Sequence, residues 1–401
     1  MDEVFFRRTL HPVGHGAFFT EHLKKVDDKE IERSFLNVVY DCGATTRGSN
    51  IPSLVKGEIK ITFNEDDHID LLFISHFDED HTNGLEYLLE HTRMDKDTYV
   101  IIPFRFPYLI MIMDDRFPSL ARFVELARQK GVIFVGVHGN GLEQRIENND
   151  KQANIDDKVV LLDKNNMFTA WDVEKKRPLW YFYPFMNVDV NSLQSIFERA
   201  INEDTRLRDV NFDDPAEVIV HRDELKKIYQ GIGRKKKNVT KINVNSLLML
   251  SFPASINFHY FSSVGYYTAN EVDYNYRDYR SIPGPYVDLG ITSLYTGDSV
   301  LEPNDIDKIN LYAVKVMTCL SGIDQIHLFQ IPHHGSLYCF SPSLLKVLRD
   351  KILSTFVNGN PYHKWYRGYI DLRREAISNR LPLYIVSNYF HSRIDTIAFF
   401  N

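Results

Sequence analysis

An apolar run that ends in a cluster of histidine and aspartate limits the fold of this chain more than any other feature. The stretch "IDLLFISHF" reads as a buried β-strand, and "HTNGLEYLLEHT" after it has the spacing of a helix start. His76, Asp78, Asp80 and His81 therefore lie where a strand runs into a helix. Because strand ends of an α/β sheet present side chains to a crevice, the segment predicts an α/β fold with a polar site at the sheet edge.

Two later strand ends carry the same residue types. "LYTGDSV" places Asp298 in a Gly-Asp turn, and "LFQIPHHGSLY" places His333 and His334 after an apolar run. Each motif has a structural interpretation of its own: a turn aspartate, a loop with Ser336 capping the next helix, and an acidic turn with Asp80 as helix cap. Three such turns together favour a metal site, and imidazole with carboxylate suits zinc, manganese or iron.

Composition narrows the class of protein. The chain has 401 residues, of which 44% are hydrophobic and 25% charged, as in a soluble globular protein with a substantial core. Its three cysteines are too scattered for a cysteine-rich zinc site, so His and Asp would have to hold any metal. The net charge of −7 argues against a surface dedicated to sequence-independent nucleic-acid binding. We find no signal peptide and no apolar run long enough for a membrane span, so we expect a cytoplasmic protein without membrane association.

The order of patterns along the chain predicts one domain over residues 1–401. Strand-like and helical stretches alternate up to about residue 187, and strand patterns resume after residue 243. The sequence between them, residues 188–240, has a helical pattern and many charged residues and includes the basic run "GRKKK". We therefore expect a helical basic insertion within a β-rich α/β domain.

At this point the sequence resembles a known family. "SHFDEDHTNGL", "YTGD" and "IPHHGS", in this order and preceded by "VGHGAFF" and "VVYDCGA", are similar to the motifs of the metallo-β-lactamase fold. The branch that they most resemble is the nuclease-like domain of the competence DNA-uptake protein ComEC and its soluble relatives. The resemblance implies a metallo-β-lactamase αβ/βα sandwich with a helical insertion, and two divalent metal ions, zinc or manganese.

The resemblance also implies a role for each motif residue. His76 and Asp78 would bind one ion, Asp80 and His81 the second, and Asp298 would bridge both; His334, or otherwise His333, would complete the second site. Asp78 stands where many family members have a second histidine, which favours a harder ion such as manganese. Tyr183 stands where a third histidine is expected, so we expect the first site to be the weaker.

The implied activity is hydrolysis of a phosphodiester, in nucleic acid or a nucleotide, by a metal-activated hydroxide. His333, His363 or Asp80 could pass a proton to the leaving oxygen, although His363 could equally be a surface histidine. The substrate backbone could contact the basic run, which otherwise is a solvated loop: Arg234, Lys235, Lys236 and Lys237. The tyrosine-rich residues 259–288 could stack bases, bind a protein partner or pack in the core.

Two alternatives remain open from the sequence. The same centre could hydrolyse a small ester, lactone or thioester. The chain could also be a catalytically impaired regulatory or binding subunit that acts with a partner protein. The metal content of the purified protein discriminates between an enzyme and such a subunit.

Overall fold

The computed structural model describes thirteen stretches of the chain. They are residues 3–26, 32–45, 51–103, 118–137, 160–162, 167–186, 199–212, 215–232, 246–255, 258–264, 291–359, 366–387 and 392–400.

Two mixed sheets dominate these described residues. The strands of the first sheet are β1 (Glu3–Leu10), β2 (His15–Val26), β3 (Glu32–Thr45), β4 (Leu71–Phe73), β5 (Tyr99–Ile102), β6 (Ile133–Gly136), β11 (Phe258–Val264) and β16 (Ile394–Phe400). Their spatial order is β11-β16-β1-β2-β3-β4-β5-β6. The strands from β3 to β6 pair in parallel and the others pair antiparallel.

The second sheet repeats this division into a parallel and an antiparallel half. Its strands are β7 (Val160–Leu162), β8 (Phe168–Asp172), β9 (Arg177–Met186), β10 (Leu247–Pro253), β12 (Ser293–Tyr295), β13 (Ile326–Gln330), β14 (Ile352–Asn358) and β15 (Leu383–Val386). They follow the order β15-β14-β13-β12-β10-β9-β8-β7, and β12 to β15 are parallel.

Helices cover the outer face of each sheet. The first sheet packs against α1 (Ile51–Thr62), α3 (Leu85–His91) and α4 (Pro118–Gln129), and the second against α7 (Pro303–Ser321), α8 (Leu344–Leu348) and α9 (Tyr366–Ser378). In α4 the buried positions Leu120, Phe123, Val124 and Ala127 recur at helical spacing, which gives the helix one apolar face. A third apolar cluster fills the space between the sheets, where Phe6 stacks on Trp180 at 3.7 Å. The fold is therefore an αβ/βα sandwich, as expected for the metallo-β-lactamase fold.

A charged pair is buried among the apolar side chains between the sheets. Arg8, which is fully buried, donates from Nε to Glu21 Oε1 at 2.7 Å. The Tyr295 hydroxyl donates to the same oxygen at 2.7 Å, and the Ser251 hydroxyl donates to the other carboxylate oxygen. The hydrogen bonds from both sheets to one carboxylate tie the layers together in a fixed register.

The described part of the segment predicted as a helical insertion contains three helical stretches, with residues 204–212 forming turns between the first two. Residues 199–203 are helical, and α5 (Pro215–Val220) and α6 (Arg222–Ile232) follow. Ile201, Leu207, Val218 and Leu225 form a small apolar cluster of their own. The boundaries 188–240 and the single-domain assignment remain predictions. Across the described ranges, we find no helix whose length and hydrophobicity would let it span a bilayer.

Candidate metal centre

The candidate centre lies where strand ends of the two sheets meet. β4 leads into His76, the short helix α2 (Glu79–Thr82) carries Asp80 and His81, Asp298 follows β12, and the turn His333–Gly335 follows β13. The Leu247 amide of the second sheet donates to the Ser75 carbonyl beside β4 at 2.7 Å. The His333 amide donates to the Gly297 carbonyl at 3.1 Å. The first bond joins the His76 motif to β10 of the second sheet, and the second joins the motifs of Asp298 and His333 to each other.

One group of ligand-type atoms consists of His76, His81 and Asp298, all buried. His76 Nε2 lies 3.5 Å from Asp298 Oδ2, and His81 Nε2 lies 3.3 Å from Asp298 Oδ1. Asp78, which is less buried, places Oδ2 3.6 Å from His76 Nε2. Three side chains from two sheets thus surround one point, and Asp78 lies beside it next to His76.

A second group consists of His15, Asp80 and His334. His334 Nε2 lies 3.2 Å from Asp80 Oδ2, and His15 Nε2 lies 3.9 Å from the same oxygen. Asp298 connects the groups, because its Oδ1 faces His334 Nε2 at 3.8 Å as well as His81. A bridging carboxylate between two sets of ligands is the arrangement of a two-ion centre.

The spacing of these atoms fits divalent ions. Most of the separations exceed the 2.7–3.2 Å range of an N–H···O hydrogen bond. Two ligands that are each about 2.1 Å from one tetrahedral ion lie about 3.4 Å apart. The Nε2 atoms of His76 and His81 are buried and make no hydrogen bond within the described structure. The residues present therefore fit a metal ion in both groups.

Each of four histidines is oriented through its other ring nitrogen. His81 Nδ1 donates to Asp41 Oδ2 at 2.7 Å, and His334 Nδ1 donates to the Asn358 carbonyl at 3.2 Å. His76 Nδ1 lies 2.9 Å from Ser75 Oγ, and His333 Nδ1 lies 2.6 Å from Cys339 Sγ. Because Nδ1 is engaged in each ring, Nε2 is the atom that faces the centre.

Asp41 connects two of these histidines. Its Oδ1 accepts the Ser75 amide at 2.7 Å, and its Oδ2 accepts the Ser75 hydroxyl at 2.6 Å in addition to His81. Since the Ser75 hydroxyl donates its hydrogen to Asp41, its oxygen can accept a hydrogen bond from His76 Nδ1. Asp41 is the extra residue of a β-bulge in β3 and has a φ of 54°, a conformation that few residues other than glycine adopt.

In the metal-free centre the pKa shifts favour ionised Asp80 and Asp298 and protonated His76 and His81, whereas burial lowers the pKa of His333. Burial and His81 lower the pKa of His76, but Asp298 and Asp78 outweigh them and raise it to about 9. Burial alone would raise the pKa of Asp298, yet the neighbouring imidazoles, His333 and His81 first, hold it well below its usual range. An incoming cation would replace these protons and meet carboxylates that are already ionised.

Backbone geometry brings the elements unusually close. His333, His334 and Gly335 have consecutive positive φ values of 49°, 51° and 72°. A Cβ on Gly335 would come within 2.7 Å of Leu372, and one on Gly43 within 2.6 Å of the Asp80 backbone. Left-handed backbone in non-glycine residues costs energy and often occurs at functional sites.

The structure brings together the six residues predicted as ligands: His76, Asp78, Asp80, His81, Asp298 and His334. It divides them differently from the expectation, since His81 groups with His76 and not with Asp80. His333 also faces the centre, with Nε2 3.5 Å from Asp298 Oδ2. The roles of all these residues remain predictions.

Tyr183, which the family resemblance placed where a third histidine is expected, lies away from the centre. Its hydroxyl hydrogen-bonds the Tyr312 hydroxyl of α7 at 2.6 Å, in the apolar cluster on the outer face of the second sheet. Ser246, directly before β10, is the residue that meets the centre, because its Oγ accepts the Asp298 amide at 3.1 Å.

Several predicted residues lie outside the described structure. They are the candidate proton donor His363, the basic residues Arg234, Lys235, Lys236 and Lys237, and residues 265–288 of the tyrosine-rich segment. Their predicted roles stay predictions.

Sequence reasoning missed His15, Asp41 and Ser246 as members of the site. His15 lies in "VGHGAFF" and Asp41 in "VVYDCGA", both of which had been noted as motifs without a role for these residues. The Gly-His-Gly triplet was the available signal for His15, because glycines on both sides permit a close backbone approach.

Comparison with known proteins finds one family that matches part of the chain. A family model for the metallo-beta-lactamase superfamily matches residues 36–161, which include most of β3, all of β4, Asp41 and the ligand candidates from His76 to His81. A search of curated proteins found no match.

Among solved structures, one match is AidC, described as a dizinc quorum-quenching lactonase in complex with a product. It is 14% identical, and the match covers 39% of this chain and 53% of that chain, with a TM-score of 0.20. A similarity this low carries no argument about substrate or mechanism. Over residues 36–161 the chain is therefore similar to the metallo-beta-lactamase superfamily, and the described residues form a two-sheet sandwich with ligand-type residues at its strand ends.

Proposed function

We propose that this chain is a metal-dependent hydrolase that cleaves a phosphodiester in nucleic acid or a nucleotide. The observation that carries the hydrolase proposal is the pair of ligand groups bridged by Asp298. Divalent ions held there would supply a nucleophilic hydroxide at neutral pH and neutralise charge that develops on the substrate oxygens.

The ligand atoms of the centre support a phosphodiester as the substrate. Asp78, Asp80 and Asp298 provide carboxylate oxygens beside the imidazoles, and oxygen-rich sets suit harder ions such as manganese. Two adjacent ions suit an in-line displacement in which the attacking and leaving oxygens both carry charge. The resemblance of the motifs to the ComEC nuclease-like domain supports the same substrate class.

His333 is our candidate for the proton donor to the leaving oxygen. Its side chain is 14% exposed, against 3% for His334, so it lies on the more accessible side of the centre. Cys339 Sγ, 2.6 Å from His333 Nδ1, can accept a hydrogen bond from Nδ1 when the ring is an imidazolium, and the Nε2 proton could then pass to the leaving oxygen and leave a neutral ring. The Asn358 carbonyl can only accept, so His334 must carry its proton on Nδ1 and present a lone pair at Nε2.

Two ligand candidates of the centre can each be removed by a single substitution. Asp80→Ala and His81→Ala should each abolish nearly all cleavage while the protein stays folded, because each removes a ligand. His68→Ala is the matched control, since His68 also contacts carboxylates, at 3.1 Å from Asp70 and from Asp95. Its activity should stay close to that of the wild type.

The assay should offer single-stranded DNA, double-stranded DNA, RNA, cyclic nucleotides, a lactone and a thioester, each with manganese and with zinc. Cleavage of a nucleic-acid or nucleotide substrate supports the proposal. Activity confined to the lactone or thioester would refute a phosphodiester as the substrate and would still support a metal-dependent hydrolase. If the metal-loaded protein cleaves none of these substrates, the proposal that it is an enzyme is refuted, and a regulatory or binding subunit that acts with a partner protein is favoured.

A further inference from the structure

His15, at the start of β2, lies at the second group of ligand-type atoms. Its side chain is 9% exposed, and its ring lies 4.0 Å from the ring of His334 between centroids. Its Nε2 faces Asp80 Oδ2, the same oxygen that faces His334 Nε2. Three ligand atoms from β2, α2 and the turn after β13 therefore lie around one point, all within 4.8 Å of one another.

Glycines on both sides of His15 make this approach sterically feasible. Gly14 has a φ of 81° and Gly16 a φ of 153°, conformations that L side chains rarely adopt. A Cβ on Gly16 would lie 2.4 Å from the Gly43 carbonyl and 2.7 Å from the Asp80 carbonyl. Strand β2 thus packs directly on the short helix that contains Asp80, and this contact places the His15 ring beside the Asp80 carboxylate.

The distance between His15 and Asp80 is not that of a hydrogen-bonded ion pair. At 3.9 Å the His15–Asp80 separation is too long for a hydrogen bond, and it is close to the spacing of about 3.4 Å between two ligands of one tetrahedral ion. A direct His–Asp pair of this chain looks different, as in His81 Nδ1 and Asp41 Oδ2 at 2.7 Å.

We propose that His15 is a ligand of the second ion, together with Asp80 and His334. The proposal rests on the two-ion hydrolase proposed above. It gives the second ion three protein ligands without His81, which leaves His81 to join His76 and Asp298 at the first ion. Each ion then has two histidines and one aspartate of its own, although Tyr183 stands where the family resemblance leads us to expect a third histidine.

Metal binding tests the proposal without reference to activity. Elemental analysis and titration should give two ions for the wild type and one for His15→Ala, with the affinity for the remaining ion unchanged. The affinity for the lost ion should fall at least about tenfold, because even residues behind the ligands cost that much. His22→Ala is the matched control, since His22 is buried on the same strand but bonds Asn37, and it should retain both ions.

His15→Cys provides a spectroscopic signature and a second variant in case His15→Ala does not fold. After cobalt loading it should show a sulfur-to-cobalt charge-transfer band stronger than that of the wild type, since a thiolate would replace an imidazole at the ion. Two ions of unchanged affinity in His15→Ala, or no new band in His15→Cys, would overturn the proposal.

The outcomes separate this proposal from the function on which it rests. If the wild type binds two ions, His15→Ala binds one and no substrate is cleaved, His15 is a ligand and the proposed activity is wrong. If the wild type cleaves a phosphodiester and His15→Ala keeps both ions, the activity stands and the role of His15 is wrong. A wild type that binds fewer than two ions overturns the role of His15.

Discussion

Replacing Asp41 by asparagine should weaken metal binding without unfolding the protein. Asparagine matches aspartate in shape and tolerates the positive φ of 54° at this bulge. The change removes one of two carboxylate oxygens that together accept the Ser75 amide, the Ser75 hydroxyl and His81 Nδ1. If the amide NH2 takes the place of Oδ2, it faces Nδ1 of His81 and forces the ring proton to Nε2, the atom that should bind the ion.

The expected size of the effect follows from this change of tautomer. Loss of the residue that orients a ligating histidine lowers metal affinity about 10–100-fold, which is about 1.4–2.7 kcal/mol. Competition with a chromophoric chelator would measure the affinity for zinc, and urea unfolding of the metal-free protein would show that the variant is folded.

Asp70→Asn is the matched control, because it makes the same kinds of bond away from the centre. Asp70 accepts the Asn37 amide at 2.7 Å and His68 Nδ1 at 3.1 Å. Its metal affinity should equal that of the wild type. A folded Asp41→Asn variant with wild-type affinity would refute the argument that Asp41 sets the tautomer of His81.

Three further predictions concern stability and packing. Glu21→Ala leaves the buried Arg8 guanidinium without its counter-charge and should cost about 3–5 kcal/mol in urea unfolding; a loss below about 1 kcal/mol would contradict a dry, charged interior. Gly16→Ala places a Cβ 2.4 Å from backbone and should lower both stability and metal affinity, whereas Gly57→Ala, with no atom within 4 Å on helix α1, should stabilise by up to about 1 kcal/mol. Because the pKa of His76 is raised from 6.5 to about 9, its protonated ring stabilises the metal-free fold fully below pH 6.5, and this stabilisation is lost as the pH rises through 9. Calorimetry should therefore show a falling Tm of metal-free protein over this interval and a smaller fall with metal, and a Tm that rises would exclude the shift.

The fold class was predictable because its signals are local. The buried run before His76 and the apolar face of α4 are patterns within a few residues, and the structure confirms an α/β sandwich. The helical stretches in the described part of residues 188–240 also follow local periodicity. The sequence could not show on which face of the second sheet the Tyr183 side chain lies. The strand is apolar and buried on both faces, so it has no polar face to mark its orientation.

The site shows the same limit at the level of side chains. That three strand-end motifs converge was predicted, and the structure places Asp298 within 3.3 Å of His81. The division into two ligand groups was not predicted, because it depends on ring orientations set by partners on other elements, such as the Asn358 carbonyl behind His334.

By itself, the sequence determined the ligand chemistry and the strand–turn–helix frame that presents it. His76 and His81 are five positions apart in one turn, so their proximity needs no tertiary information. Only the tertiary structure brought His15 to Asp80 and Asp41 to His81, because these contacts depend on a bulge in β3 and on glycines that let β2 approach the turn. Contacts between distant residues depend on sheet register and on backbone conformation, and neither property can be read from residue type alone.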